Sequence, residues 1–378
     1  MSNRKLFCFG YYFPPSRAPE AIVSAKRTVG LKEWDVTFAA FQMGEDDPGL
    51  AEYADRKFHR VVRIPLPWWC RLVPGRVLAR LPASPDWLAL ITGHAVARLK
   101  AHDVSKNHVF MTCSQSHSSH LVGLEIKKAY PQLPWIAHFS DPWASNPYVS
   151  QEQNEREREL EAEVFQTANL LIFTSKETCE HVGRGYSDGI RSKMRVLSHA
   201  YDPDIWEGSA RVEPEQLDEG PKRILIRHIG ALYGKRSPLA FFKALAFLLK
   251  ELPELLDSVQ FEFIGPVDAE FRIALENSGL SPKLIALCSS VSYIESIELM
   301  RSADALLVID APSSKNIFLP SKLIDYVGVG KPILALSSPG TTSMLVREYG
   351  GRCCDPDSVQ KIVSELRIFL TDLSEVGK

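Results

Sequence analysis

The densest chemistry in the sequence is a strand-like run, Ala305-Leu-Leu-Val-Ile-Asp310, that enters the polar loop Ala311-Pro-Ser-Ser-Lys-Asn-Ile-Phe-Leu-Pro320 and then a helix beginning near Pro320. A strand, a polar loop and a helix N-terminus together offer free N–H groups and the positive end of a dipole. Pro320, Ser321 and the turn after them therefore favour a phosphate, with Lys315 and Lys322 as charged partners. The competing reading is an ordinary βα turn, which has the same outline. A second segment of this kind, His228-Ile-Gly-Ala-Leu-Tyr-Gly-Lys-Arg-Ser-Pro238, sets Gly230 and Gly234 where backbone approaches a ligand closely and places Lys235 and Arg236 to hold a diphosphate. It is not a P-loop, whose glycine spacing is longer.

Such loops need parallel strands to hold them. Short β-branched or aromatic runs alternate with longer amphipathic stretches along the chain, the pattern of an α/β fold built from strands and crossover helices. The first half predicts strands at Lys5–Phe9, Asp35–Ala40, Val61–Arg63, His108–Thr112, Trp135–Phe139, Leu170–Thr174 and Met194–Leu197. The second half predicts them at Arg223–Ile229, Gln260–Ile264, Ile285–Leu287, Ala305–Ile309 and Ile333–Ala335. Between the halves, Arg211–Lys222 is rich in Glu, Pro, Gln, Asp and Gly and reads as a linker. The expected division is a first Rossmann-like domain over 1–210, a second over 211–356 and an amphipathic C-terminal helix over 357–378. A ligand is expected in the cleft at the carboxyl ends of both sheets.

Composition narrows the classes. A chain of 378 residues with 44 Lys and Arg against 46 Asp and Glu carries a formal charge of -2, so no global positive field argues for nucleic acid as the principal partner. Seven scattered cysteines make no disulfide framework and suggest a reducing cytoplasm. The N-terminal apolar stretch is too short for a signal-peptide core, and no run of about 18 apolar residues predicts a membrane span.

Several segments occur in order along the chain: Gly230 to Lys235, Ile264-Gly-Pro266, Met300-Arg-Ser-Ala-Asp-Ala-Leu-Leu307 and Pro320-Ser-Lys-Leu-Ile-Asp-Tyr326. In the first half they are joined by Tyr11-Tyr-Phe-Pro-Pro-Ser16, Ser116-His-Ser-Ser-His120 and Pro134-Trp-Ile-Ala-His-Phe-Ser-Asp-Pro-Trp143. Through this set the sequence resembles the family-four retaining glycosyltransferases of GT-B fold, of the bacterial polysaccharide-biosynthesis type, over nearly its whole length. The resemblance implies a nucleotide-diphosphate sugar of UDP or GDP type as donor. It also implies a glycan or lipid-linked oligosaccharide acceptor in the first domain and a final helix that crosses back toward that domain. By position, Lys235 corresponds to the lysine on the donor diphosphate, Asp325 to the acid on the ribose, and Gly265 with Val291–Ile294, including Tyr293, to the region flanking the base.

The sequence also departs from the family pattern. Ile317 stands where a glutamate often contacts the donor hexose, which shifts that role to Asn316 or to backbone amides. Ala231 stands where an arginine is common, so Arg236 is expected to substitute. Ser16-Arg-Ala-Pro-Glu20 replaces a glycine-rich loop, and Arg17 is expected to face the diphosphate. Ile317 and Ala231 motivate one alternative, a donor-binding scaffold without catalysis; a nucleotide-sugar epimerase on the same fold is a further one.

Asp141 follows a predicted strand, where a carboxylate orients the acceptor hydroxyl or stabilises charge on the donor sugar; Asp before Pro142 is equally good helix-capping chemistry. His117 and His120 read as a general base or as hydroxyl ligands, against satisfied capping groups. Their spacing lacks further ligands for zinc, and the Asp202-Pro-Asp204 and Asp355-Pro-Asp357 triplets read as turns, so neither a metal nor a cofactor is expected. Arg63–Leu81 combines two tryptophans with arginines and no acid, a composition suited to anionic lipid or to a loop packed on its own domain. The chain is therefore expected in the cytoplasm, with a peripheral contact on the inner face of the membrane. The charge run Gln151–Glu163 reads as a solvated helix face.

Overall fold

The computed structural model describes residues 4–43, 45–78, 80–81, 83–207 and 223–376. The chain divides into two compact units, Met1–Ala200 and Tyr201–Lys378, and the predicted linker lies outside the described residues. The first unit runs β1 (Arg4–Phe9), α1 (Pro19–Val29), β2 (Trp34–Phe41), α2 (Pro48–Lys57), β3 (Arg60–Ile64), α3 (Gly75–Leu78), α4 (Thr92–Ala101), β4 (Val109–Cys113), α5 (Ser118–Ala129), β5 (Trp135–Phe139), α6 (Gln151–Thr167), β6 (Leu170–Phe173), α7 (Lys176–Gly183), α8 (Asp188–Arg191) and β7 (Met194–Val196). The second runs α9 (Asp204–Glu207), β8 (Ile224–Ile229), α10 (Leu239–Glu251), β9 (Val259–Ile264), α11 (Ala269–Glu276), β10 (Ile285–Cys288), α12 (Tyr293–Ser302), β11 (Ala305–Ile309), α13 (Ser321–Val329), β12 (Ile333–Leu336), α14 (Thr341–Glu348), β13 (Arg352–Cys354) and α15 (Val359–Val376).

The first sheet has the order β3-β2-β1-β4-β5-β6-β7 and the second β10-β9-β8-β11-β12-β13, with every pairing parallel. The continuous apolar runs follow from this arrangement, since helices cover both faces; β11, Ala-Leu-Leu-Val-Ile, is buried at every position. In each sheet the order reverses beside the first strand of the unit, between β1 and β4 and between β8 and β11. Loops that leave these strand pairs at their carboxyl ends diverge, and the gap they leave is where a doubly wound sheet takes its ligand. Helix α15 buries Ile362, Leu366, Phe369 and Leu370 in the second unit's own core and packs on α10.

Candidate functional site

At the switch point of the second sheet, Gly230 follows β8 and Gly265 follows β9, both with φ in the region that favours glycine, +134° and +133°. A Cβ on Gly265 would lie 2.7 Å from the Gly230 carbonyl oxygen, so the two strand ends close on each other only with glycine there. On the other side of Gly230 lies the ammonium of Lys322, 3.3 Å from where a Cβ would stand. Lys322 belongs to the first turn of α13, whose N-cap Pro320 contributes no side-chain acceptor, and Ser321 opens that turn half-buried. Its N-terminal N–H groups and the Lys322 charge therefore converge at the carboxyl ends of β8 and β11.

His228 fixes the direction of that ammonium. Its Nδ1 lies 3.1 Å from the Leu307 carbonyl oxygen, which can only accept, so Nδ1 carries the proton and Nε2 presents a lone pair to Lys322 Nζ at 3.3 Å. Burial, then the Lys322 charge, hold the imidazole neutral, with its pKa far below the usual value. Lys322 itself is pushed down to about 7, chiefly by burial and next by the Arg236 guanidinium, with Asp310 opposing. Arg236 lies over the Tyr233 ring at 5.6 Å and keeps a buried Nε that meets no hydrogen-bond acceptor among the described residues. Lys235 stands exposed on the same loop.

The rest of the second-unit prediction is distributed around this cluster. Asp325, on α13, is buried, 3% exposed. Its neighbour Tyr326 accepts from the Ile229 N–H at 2.8 Å, tying α13 to β8. Asn316 is buried. Its amide donates to Asp310 Oδ2 at 2.8 Å, Ser337 Oγ at 3.2 Å and Thr342 Oγ1 at 3.2 Å, while its Oδ1 accepts from Phe318 N at 3.0 Å. With every polar atom so engaged, Asn316 holds the β11–α13 loop in shape, a different part from the predicted contact with a hexose. Tyr293 opens α12 behind a Ser292–Glu295 capping box and is half-buried.

The carboxyl end of the first sheet gathers Asp141, His117 and His120. Asp141 lies in a bend after β5 and precedes no helix, so the capping alternative falls; the Gln115 amide donates to its Oδ2. His117, half-buried, stacks on Trp143 at 5.2 Å and 10°, and burial takes its pKa down to about 3. His120 lies a layer deeper, with no exposure and its Nδ1 2.8 Å from Thr112 Oγ1. Of the two histidines, His117 is the one that reaches the surface, which corrects the expectation that both touch a substrate. The N-terminus of α5 beneath them is already closed by Asp86, which accepts from Ser118 N at 3.3 Å and Ser118 Oγ at 2.7 Å. Arg17 is exposed and pairs with Glu45 at 3.2 Å.

Two groups escaped sequence reasoning. One is His228, whose use depends on a carbonyl far along the chain. The other is the acidic helix α6: Glu157 and Glu161, expected in solvent, are 6% and 3% exposed. They accept from Trp143 Nε1 at 2.6 Å and Ala144 N at 2.8 Å. The signal was their spacing with Asn154, which sets all three on one face of the helix. The aspartate triplets are turns, as read: Asp202 accepts from Asp204 N and Asp355 from Asp357 N, each at 3.1 Å. Among the described residues no group of three or more His, Cys, Asp or Glu stands together as a metal-ligand set.

Comparison with solved structures identifies the architecture. HepE of Anabaena, solved with UDP and glucose, superposes with a TM-score of 0.68 at 14% identity over 99% of this chain and 91% of that one. The fold is GT-B. Sucrose-phosphate synthase from Thermosynechococcus elongatus gives a TM-score of 0.67 at 14% identity over 98% and 91% of the two chains. WaaG, a glycosyltransferase involved in lipopolysaccharide biosynthesis, gives 0.64 at 16% identity over 98% and 92%. No protein-family model matches the sequence, and none of the curated proteins does. In this GT-B chain the cationic groups Lys322 and Arg236 stand at the second unit's switch point, whereas Asp141 and His117 stand at the carboxyl end of the first sheet, where buried Arg27 donates to Ser140 Oγ at 3.2 Å.

Proposed function

We propose that the protein is a glycosyltransferase that moves a sugar from a nucleotide-diphosphate sugar to a hydroxyl of a glycan acceptor, with retention of anomeric configuration. The observation that carries the reading is the cluster of Lys322, Arg236 and the open N-terminus of α13 on the Gly230–Gly265 floor, a cationic, backbone-rich seat for a diphosphate. HepE, of the same fold, was solved with UDP and glucose, which supports a nucleotide sugar as donor. Asp325 then accepts from the ribose, Tyr293 flanks the base, and Lys235 adds charge at the rim. In the first unit Asp141 and His117 orient the acceptor hydroxyl.

In the transfer, the bond from the anomeric carbon to the diphosphate oxygen breaks as the bond to the acceptor oxygen forms. The acceptor proton passes to the departing phosphate oxygen, so no strong protein base is required, in keeping with a His117 that burial leaves weakly basic. Lys322, Arg236 and the α13 dipole stabilise the charge that develops on the leaving group.

The acceptor is proposed to be lipid-linked, with the protein peripheral on an anionic membrane through Arg63–Leu81. Trp68 and Leu72 there are 74% and 72% exposed among arginines. No helix among the described residues is long and apolar enough to cross a membrane. The deciding experiment incubates the protein with UDP- and GDP-sugars, with and without glycan acceptors. Glycoside product, or slow donor hydrolysis, supports the transferase. An epimeric nucleotide sugar without acceptor identifies an epimerase, and tight nucleotide binding with no turnover identifies a scaffold.

A further inference from the structure

The four residues after Asp141-Pro142 are each held by a different side chain. Trp143 Nε1 donates to Glu157 Oε2 at 2.6 Å, and Ala144 N donates to Glu161 Oε2 at 2.8 Å. The Ser145 carbonyl accepts from His181 Nε2 at 2.8 Å, and Asn146 exchanges two bonds with the Asn154 amide at 3.0 and 3.3 Å. Asn154, Glu157 and Glu161 project from one face of α6, and His181 from α7. The remaining oxygens of the two glutamates are also satisfied: Glu157 Oε1 accepts from Gln153 Nε2 at 3.0 Å and Glu161 Oε1 from Tyr186 Oη at 2.7 Å.

Buried carboxylates without a cationic partner at hydrogen-bond distance are costly, and burial raises the pKa of both. A well-packed apolar pair would cover the same helix face at lower cost. What the carboxylates provide instead is direction. Their acceptors fix the indole of Trp143, which stacks face to face on His117 at 5.2 Å, and fix the strand of backbone that leads out of Asp141.

We propose that Glu157 and Glu161 are positioning residues for the acceptor-binding groups, setting Trp143 and through it His117 and Asp141. This rests on the glycosyltransferase reading for its catalytic consequence, though not for its geometry. The test therefore has two readouts. In the first, histidine carbethoxylation is followed peptide by peptide in the parent, Glu157→Leu, Glu161→Leu and Glu157→Gln, with fully buried His138 as internal control. His117 should react at least threefold faster in the two leucine variants and at the parent rate in Glu157→Gln, which keeps an acceptor for the indole. Equal His117 reactivity in all four proteins overturns the positioning claim, whatever turnover does. So does a rise at His138 alongside His117, which would mean general loosening.

In the second readout, the leucine variants should lose at least tenfold in transfer rate while nucleotide affinity stays within twofold, and Glu157→Gln should recover most of the rate. Parent-like transfer in both leucine variants overturns the catalytic consequence. Absence of transfer by the parent protein counts against the glycosyltransferase reading alone, and the carbethoxylation result then decides the positioning claim.

Discussion

Lys322 ties the proposed donor site to measurable titration. Its folded-state pKa of about 7 lies below the ~10.4 of an unfolded lysine, so between these values the unfolded chain binds a proton that the folded one has lost. Stability should therefore gain a positive contribution from this group as pH rises through that window, and the contribution should vanish in Lys322→Met. Denaturant midpoints at several pH values measure it; identical slopes in parent and variant would refute the assignment. A diphosphate favours the ammonium form, so the sign reverses for binding: nucleotide affinity should fall above pH 7, with proton uptake visible in calorimetry across buffers of different ionisation heat. Arg236→Ala and Asp325→Ala should each weaken nucleotide binding by ~1.5–3 kcal/mol. Exposed Lys235→Ala should cost no more than ~1 kcal/mol, the range of a solvent-screened charge. Sequence alone put weight on Lys235 because a Gly-Lys-Arg string announces itself. It overlooked His228, whose lone pair faces Lys322 only because Leu307, on the neighbouring strand, takes the other ring proton.

At the scale of elements, the segment Arg63–Leu81 divides its apolar residues between two duties. Trp69, Cys70, Val73 and Leu78 pack on the first unit's core, whereas Trp68, Leu72 and Val77 are exposed on the same two short turns. Packing on its own domain thus holds for the first four residues, and the other three form the exposed surface on which the proposed lipid contact rests, a division that no pattern of residue types reveals without knowing which way each turn faces. The membrane contact can then be tested without harming the fold. Trp68→Ser with Leu72→Ser should cut co-sedimentation with anionic vesicles several-fold and leave the thermal midpoint within a degree or two. Trp69→Ser should instead destabilise the protein by ~1–3 kcal/mol. Unchanged vesicle binding in the first variant, with the fold intact, would exclude this surface. Helix α6 teaches the same point in the opposite sense: a run of glutamates looks solvated until the loop that uses two of them is known.

For the whole molecule, the doubly wound pattern was legible because parallel strands buried on both faces leave uninterrupted apolar runs, and the strand positions follow from those runs. The strand order was not legible, and it is the order that decides function, since it sets the loops after β1 and β4, and after β8 and β11, at the two switch points. Each unit has its own buried core, so ligand binding to one should register there first. A nucleotide diphosphate that binds the folded state alone would stabilise it by ~2.7 kcal/mol at a hundredfold excess over Kd. That increment belongs to the unit that holds the ligand. Hydrogen exchange with saturating UDP or GDP should slow in the peptides that span Gly230–Arg236 and Pro320–Tyr326, while peptides around Asp141 keep their parent rates until an acceptor is added. Whichever nucleotide gives the larger protection identifies the donor base. Protection that appears around Asp141 with nucleotide alone, or none with either nucleotide, would show that the cationic cluster at Lys322 is not the donor seat.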